Sequence, residues 1–301
     1  MQFKLSYLLL KLRDVKTWVF FLDSYTFILP VVTAKLLNKK ILFLLAASNY
    51  KSAEARNDMI SKIIQSGLLL NINYFLSDNI IIYASRLIKE WKLEKYKYKT
   101  IIASEHILNF DEFKMVNKYS ERHILIAFIG RLSEEKGVQN FIKAIAIVCS
   151  ENTECSFLIG GDGDLRVKVE NYIKENNLYN KVELSGWVPH EKLPEYLNHL
   201  KLLVIPSFTE GIPNIMLEAM ACGTPVLATP VGAIPDIIKD GETGFLLENN
   251  SPECIAETVL KVLDMPDDKL EKVSDNACAL VEKKFTFEAA VERWSEIFDD
   301  F

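Results

Sequence analysis

Two glutamates, Glu210 and Glu218, bracket the apolar run SFTEGIPNIMLEAMACGTPVLA at 207–228. A run so apolar is expected to be buried, and a buried carboxylate is costly unless something bonds it. Pro213 follows the turn residues TEGI and suits the first position of a helix, where its missing N–H costs nothing. The helix is expected over Asn214–Ala221 and is ended by Cys222 and Gly223. It begins just after a strand, so the free N–H groups around Gly211, Ile212, Pro213, Asn214 and Ile215, with the positive end of the dipole, form an anion site. A carboxylate beside a phosphate would repel it, so the glutamates must face the phosphate's neutral neighbours. An ionised carboxylate accepts two hydrogen bonds from a vicinal diol. That places Glu218 on a ribose and Glu210 on a sugar hydroxyl. Taken alone, two surface carboxylates on a half-exposed helix fit as well.

A second cluster, FIGRLSEEKG, runs from a strand into the next helix. Gly130 permits close backbone approach. Arg131 offers a fork of donors and Lys136 a point charge, a combination suited to a diphosphate. Two solvated basic residues are the plainer reading of the same pair. A third cluster, GGDGDLR, contains a GxG that includes Gly161, but a dinucleotide fingerprint wants a further glycine where Arg166 stands. That excludes the oxidoreductase reading. Asp162 and Asp164 either bind a divalent metal between phosphates or shape a turn and begin a helix. The second is preferred, and no metal is expected.

These clusters need strands to carry them. Short apolar runs alternate with amphipathic ones throughout: strand-like at 18–22, 41–47, 79–84 and 100–104, then at 124–130, 155–160, 181–186, 202–206, 225–229 and 244–248. Helices are expected at 24–38, 54–70, 85–96, 138–149, 164–176 and 191–198, with an amphipathic helix at the end of the chain. Continuous apolar strands between helices indicate parallel βαβ units. The fold class is α/β, with two Rossmann-like parallel-sheet domains and a ligand cleft between the carboxyl ends of their strands. The expected division is 1–115, a polar linker near 114–121, 120–285, and a terminal helix at 286–301 that crosses back to the first domain.

The 301 residues are 49% apolar, enough for two domains rather than one. Net charge is −6 overall, but residues 1–119 hold 18 Lys/Arg against 10 Asp/Glu and residues 120–301 hold 17 against 31. A basic half often faces an anionic partner; ordinary solvation of a lysine-rich surface is the alternative. Lys89, Lys92, Lys95, Lys97 and Lys99 around Trp91, Tyr96 and Tyr98 make an anionic membrane surface the expected contact, without nucleic acid. The five cysteines have no CxxC spacing, which fits a reduced intracellular chain without a zinc site. The most apolar segment is interrupted by Asp23, Ser24 and Pro30 and is too short to span a bilayer. The expected location is cytoplasmic, at the inner face of the membrane.

In order, GRLSEEKG, GGDGDLR, GWVPHEKLPEYL, EGIPNIMLEAMACGTPVLAT and VGAIPDIIKDGETGFLL resemble the nucleotide-sugar domain of glycosyltransferase family 4 over about residues 120–265. Glu210 and Glu218 match that family's E-x7-E pair. The resemblance implies a GT-B fold and retaining transfer from an NDP-sugar to a saccharide or lipid-linked acceptor, with no essential metal or other cofactor. It implies that Arg131 and Lys136 hold the diphosphate and that residues 211–215 form the phosphate and sugar loop. Glu210 would then touch the donor sugar, Glu218 the ribose, and Gly186 and Val188 the base. The first half matches only the later part of the family's first domain. The family's opening strand and glycine-rich loop have no counterpart, Ser48 and Asn49 stand where many relatives carry a histidine, and ASEHILNFDEF replaces the family's Pro-Asn-Gly. Asp23, Ser24, Ser48 and His106, at strand ends facing the expected cleft, are the acceptor-side candidates. A shortened first domain implies an open sheet edge and self-association. The competing readings are a donor-binding module with little or no transfer, and a GT-B epimerase or phosphorylase.

Overall fold

A computed structural model describes residues 2–12, 14–21, 27–46, 68–122 and 125–299. The chain divides into two compact units, Met1–Ser104 and Glu105–Phe301. In the first, β1 (Thr17–Phe21), β2 (Lys40–Leu45), β3 (Asn79–Ile82) and β4 (Thr100–Ile102) form a parallel sheet in that order. Every residue from Ile41 to Leu45 is buried, as a strand covered on both faces must be. Phe20 of β1 stacks on Phe43 of β2 with ring centroids 5.3 Å apart. β1 is an edge strand whose Val19 and Phe21 are exposed, and the first helix, Gln2–Lys11, exposes Phe3 and Tyr7.

The helix expected at 85–96 is instead a single turn, Leu87–Glu90, followed by a 3-10 segment, Glu94–Lys99. Lys92 between them takes φ 58°, which breaks the helical path. The basic cluster also loses a member. Lys99 is buried, and its ammonium donates to the carbonyls of Ser77 at 2.7 Å and Phe75 at 3.2 Å, so it is not part of the exposed basic surface. The helix expected at 54–70 lies mostly outside the described residues; a helix is present at Leu68–Leu76.

The second unit is a six-stranded parallel sheet of β5 (Leu125–Ile129), β6 (Ser156–Gly160), β7 (Val182–Gly186), β8 (Leu202–Ile205), β9 (Val226–Ala228) and β10 (Phe245–Leu246). Its spatial order is β10-β9-β8-β5-β6-β7. Phe128, Phe141 and Phe157 meet between the sheet and the helix Val138–Glu151, with centroids 6.0 and 6.4 Å apart. Helix Pro252–Leu263 starts at an N-cap, Ser251, whose hydroxyl accepts from the Cys254 N–H. Residues 105–118, expected as the end of one domain and a linker, are bonded to the second unit. The Asn198 amide accepts from Val116 N at 2.7 Å and donates to Lys114 O at 3.0 Å, and Leu108 N donates to Phe285 O. Arg122 is buried and donates to the carbonyls of Asn117, Leu200 and Cys222 and to the Thr224 hydroxyl. No helix among the described residues is long and apolar enough to cross a membrane.

Candidate functional site

β5 and β8 are neighbours in the second sheet, yet the chain proceeds from them in opposite directions, to β6 and β7 on one side and to β9 and β10 on the other. The carboxyl ends of strands at such a reversal are where open α/β sheets collect ligands. The loops leaving these two strands, 130–137 and 206–213, are the two that carry the expected chemistry.

The loops are joined by backbone and side chain. Phe208 N donates to Glu135 O at 2.8 Å. Lys136 Nζ and Ser207 Oγ both donate to Glu210 Oε1, each at 2.7 Å. The diphosphate lysine and the sugar glutamate read from the sequence are thus bonded to each other. A lysine ammonium has three protons, so two remain for other acceptors. Ser207 was not singled out from the sequence, because nothing in its local pattern marks a hydroxyl that buttresses a carboxylate three residues on.

Glycines let the backbones close up around these groups. Gly161 has φ 129°, and a Cβ there would lie 1.9 Å from Gly130 O. Its N–H donates to Gly186 O at 2.6 Å and Gly130 N donates to Gly160 O at 2.9 Å, tying together the ends of β5, β6 and β7. Val188 is buried against Gly160. On the other side, a Cβ on Gly232, φ 60°, would meet Glu210 O at 2.3 Å, and Ala233 N donates to Gly211 O. The loop before the helix is therefore braced along its length.

The helix Asn214–Ala221 occupies the expected residues, with Pro213 as its extended N-cap. Gly211, Ile212 and Pro213 are buried, Asn214 is exposed and Ile215 is half-buried. Glu218 is buried, and its Oε1 lies 3.1 Å from His190 Nε2. Burial pushes the Glu218 carboxyl above its ordinary range, and the hydrogen bond and charge of His190 oppose that rise. Arg131 stands apart from this network, 74% exposed, with Nη1 4.0 Å from Glu135 Oε1. Oε2 of Glu135 and the Ser133 hydroxyl are buried without a hydrogen-bond partner among the described residues.

His106 was assigned to the acceptor side, but its Nε2 lies 3.1 Å from Ile212 O, on the loop read as binding donor phosphate. Burial lowers its pKa, while Glu105 and the Ile212 carbonyl act in the opposite direction and Arg293 adds to the lowering. The other acceptor-side candidates, Asp23, Ser24 and Ser48, lie outside the described residues. Asp162 Oδ1 accepts from Gly163 N at 2.8 Å, which is a turn contact, and the following helix begins at Arg166, two residues beyond Asp164. Among the described residues no group of three His, Cys, Asp or Glu is arranged to hold a metal ion.

The description "Glycosyl transferases group 1" belongs to the family that matches residues 109–279. The alpha-D-kanosaminyltransferase of Streptomyces kanamyceticus is 30% identical over 174 residues, covering 58% of this chain and 45% of that protein. The chain spans about half the length of the curated relatives it matches, 45% and 47% for two of them. A variant of S. aureus TarM, solved in complex with Fondaparinux, alpha-GlcNAc-glycerol and UDP, superposes with a TM-score of 0.80 at 20% identity. That match covers 98% of this chain and 58% of TarM. Anabaena Alr3699/HepE in complex with UDP and glucose gives 0.79 at 15% identity, over 99% of this chain and 81% of that one. At such identities the likeness concerns the fold, two Rossmann-like parallel-sheet domains of the GT-B type. With more than half its length matched, the chain belongs to the glycosyl transferases group 1 family.

Proposed function

We propose that the second unit binds an NDP-sugar and that the chain serves in retaining transfer of the sugar to a saccharide or lipid-linked acceptor in glycan or glycolipid biosynthesis. The observation that carries this reading is the pairing of Lys136 and Ser207 on Glu210 Oε1, at the mouth of the helix Asn214–Ala221. It concentrates a cation, a carboxylate and free helix N–H groups at one strand end. Breaking the glycosidic bond leaves negative charge on the departing diphosphate. Arg131, the remaining protons of Lys136 and the N–H groups of Gly211, Ile212, Asn214 and Ile215 would stabilise that charge as it forms. Cationic side chains in this role remove the need for a metal. Glu218 would accept from the ribose diol and Glu210 from a hydroxyl of the sugar, with Gly186 and Val188 along the base. The basic first unit would rest against anionic lipid, with location at the inner face of the membrane.

Calorimetry with a panel of nucleoside diphosphates, headed by UDP because the TarM and HepE structures both hold it, tests donor binding. An assay with NDP-sugars and saccharide or lipid-linked acceptors tests transfer. Binding without transfer to any acceptor would favour a donor-binding module, and free sugar or epimer as product would point to an epimerase or phosphorylase. Absence of binding to every diphosphate would sink the reading.

A further inference from the structure

Glu218 keeps one carboxylate oxygen on His190 and has no partner for Oε2 among the described residues. The His190 side chain is 63% exposed. An exposed ring would ordinarily sample several rotamers. Here two contacts restrain it: the Glu218 oxygen on one side and the buried ring of Phe113 on the other, edge-on with centroids 5.2 Å apart. Phe113 belongs to the segment that Asn198 fastens to the second unit through Lys114 and Val116. A chain of contacts thus runs from that segment through an imidazole to a buried carboxylate.

We propose that His190 is a positioning residue for Glu218: its Nε2–H holds Oε1, so that the side chain stays an ionised acceptor and presents Oε2 to the ribose diol of the donor. The inference rests on the reading of Glu218 as the ribose ligand. A carboxylate accepts from both hydroxyls of a diol only while ionised, since protonation turns one oxygen into a donor. Burial works against ionisation, and His190 is the group that opposes it. Two cysteines and an arginine are the other ionisable groups near this helix. Cys222, at the end of the same helix, and Cys278, from the helix Asp267–Lys284, are pushed up by burial to about 12 and about 11. The Arg122 guanidinium donates to Cys222 O, and burial lowers its pKa. On its own turn His190 is followed by Glu191 and Lys192.

The sign follows directly. Removing His190 removes both influences that hold the Glu218 pKa down, so the carboxylate is lost at a higher pH on acidification. The experiment is calorimetry between pH 5 and 8 on the whole chain, its His190→Ala and His190→Gln variants, and Glu218→Gln. The probes are inorganic pyrophosphate and whichever of UDP, GDP, ADP and dTDP binds most tightly. His190→Ala is expected to weaken nucleotide binding about tenfold at pH 7, the low end for a hydrogen bond to a charged group, and more at pH 5.5. Pyrophosphate affinity should stay unchanged, and His190→Gln, which keeps an N–H donor, should recover most of the loss. Equal losses for nucleotide and pyrophosphate, or a loss independent of pH, would overturn the proposal. If Glu218→Gln weakens nucleotide binding and His190→Ala does not, the His190 inference alone fails. If Glu218→Gln changes nothing, or no nucleotide binds, the ribose reading fails and takes this one with it.

Discussion

Charged side chains in the two units are used differently. In the first, the Lys99 ammonium ends on two backbone carbonyls, and Asp78 bonds the Ile41 N–H and the Lys35 ammonium at the start of β2. These groups satisfy main chain that strand ends leave open. Arg122, in the second unit, does the same on a larger scale with several carbonyls and a hydroxyl. At the carboxyl ends of β5 and β8 the pattern changes. Lys136 bonds the Glu210 side chain and His190 bonds the Glu218 side chain. A charge bonded to main chain holds a fold in place; a charge held by another side chain at a strand's carboxyl end keeps lone pairs or protons for a ligand. The comparison yields tests of both halves.

The largest effect is expected at Arg122. Arg122→Ala leaves several buried acceptors uncompensated and should cost about 3–5 kcal/mol of second-unit stability, the range for breaking a buried charged network. Denaturant unfolding checks it, and a loss under about 1 kcal/mol would show that water replaces the guanidinium freely. At the ligand end, Arg131→Ala should leave unfolding unchanged, because the side chain is exposed, and weaken nucleoside diphosphate binding by about 1.5–3 kcal/mol. Unchanged diphosphate affinity would remove Arg131 from the site. Lys99→Met keeps the stem and drops the ammonium, leaving the Phe75 and Ser77 carbonyls unpaired. About 1–3 kcal/mol of first-unit stability should go with it, without change in nucleotide affinity.

Glu218→Gln sharpens the distinction by sign. A carboxyl whose pKa is raised on folding binds more protons folded than unfolded, so stability falls as pH rises from the ordinary carboxyl value through the raised one. Replacing Glu218 by a neutral amide should therefore raise the unfolding midpoint at neutral pH while weakening nucleotide binding. A lowered midpoint would place Glu218 with the structural charges. The smallest effects belong to exposed Lys89, Lys92, Lys95 and Lys97. Each would contribute about 1 kcal/mol to binding an anionic vesicle, lost at high salt. Flotation indifferent to both lipid charge and salt would remove the membrane proposal.

Much of this arrangement could be read from sequence where local chemistry is strong. The helix after Pro213 spans the expected residues, with the proline as its N-cap rather than its first helical residue and Cys222 as its C-cap, and the strands of the second sheet fall within two or three residues of the apolar runs. The long helix Asp267–Lys284 was not assigned. Its buried Leu270, Val273, Ala277 and Val281 keep helical spacing, but charged residues between them dilute the signal. Residues 114–121 read as a linker because they are polar, and their partners, such as Asn198, 82 residues from Val116, and Glu271, 151 residues from Ser120, are too distant in sequence to be read locally. The site was legible as types and not as partners. Lys136 and Glu210 are 74 residues apart and His190 and Glu218 are 28 apart, so no local pattern pairs them. The contact of His106 with Ile212, 106 residues on, was hidden for the same reason.

Hydrogen–deuterium exchange of the 301-residue chain, with and without a saturating nucleoside diphosphate, tests most directly the claim that the donor site is built within the second unit. The account predicts slowed exchange at 130–137, 186–190 and 207–218, where loop N–H groups would bond phosphate and base and the carboxylates would hold the sugars. Exchange through β1, β2, β3 and β4 should be unchanged. Protection of equal size in those strands, or nucleotide binding with no protection at 207–218, would contradict it.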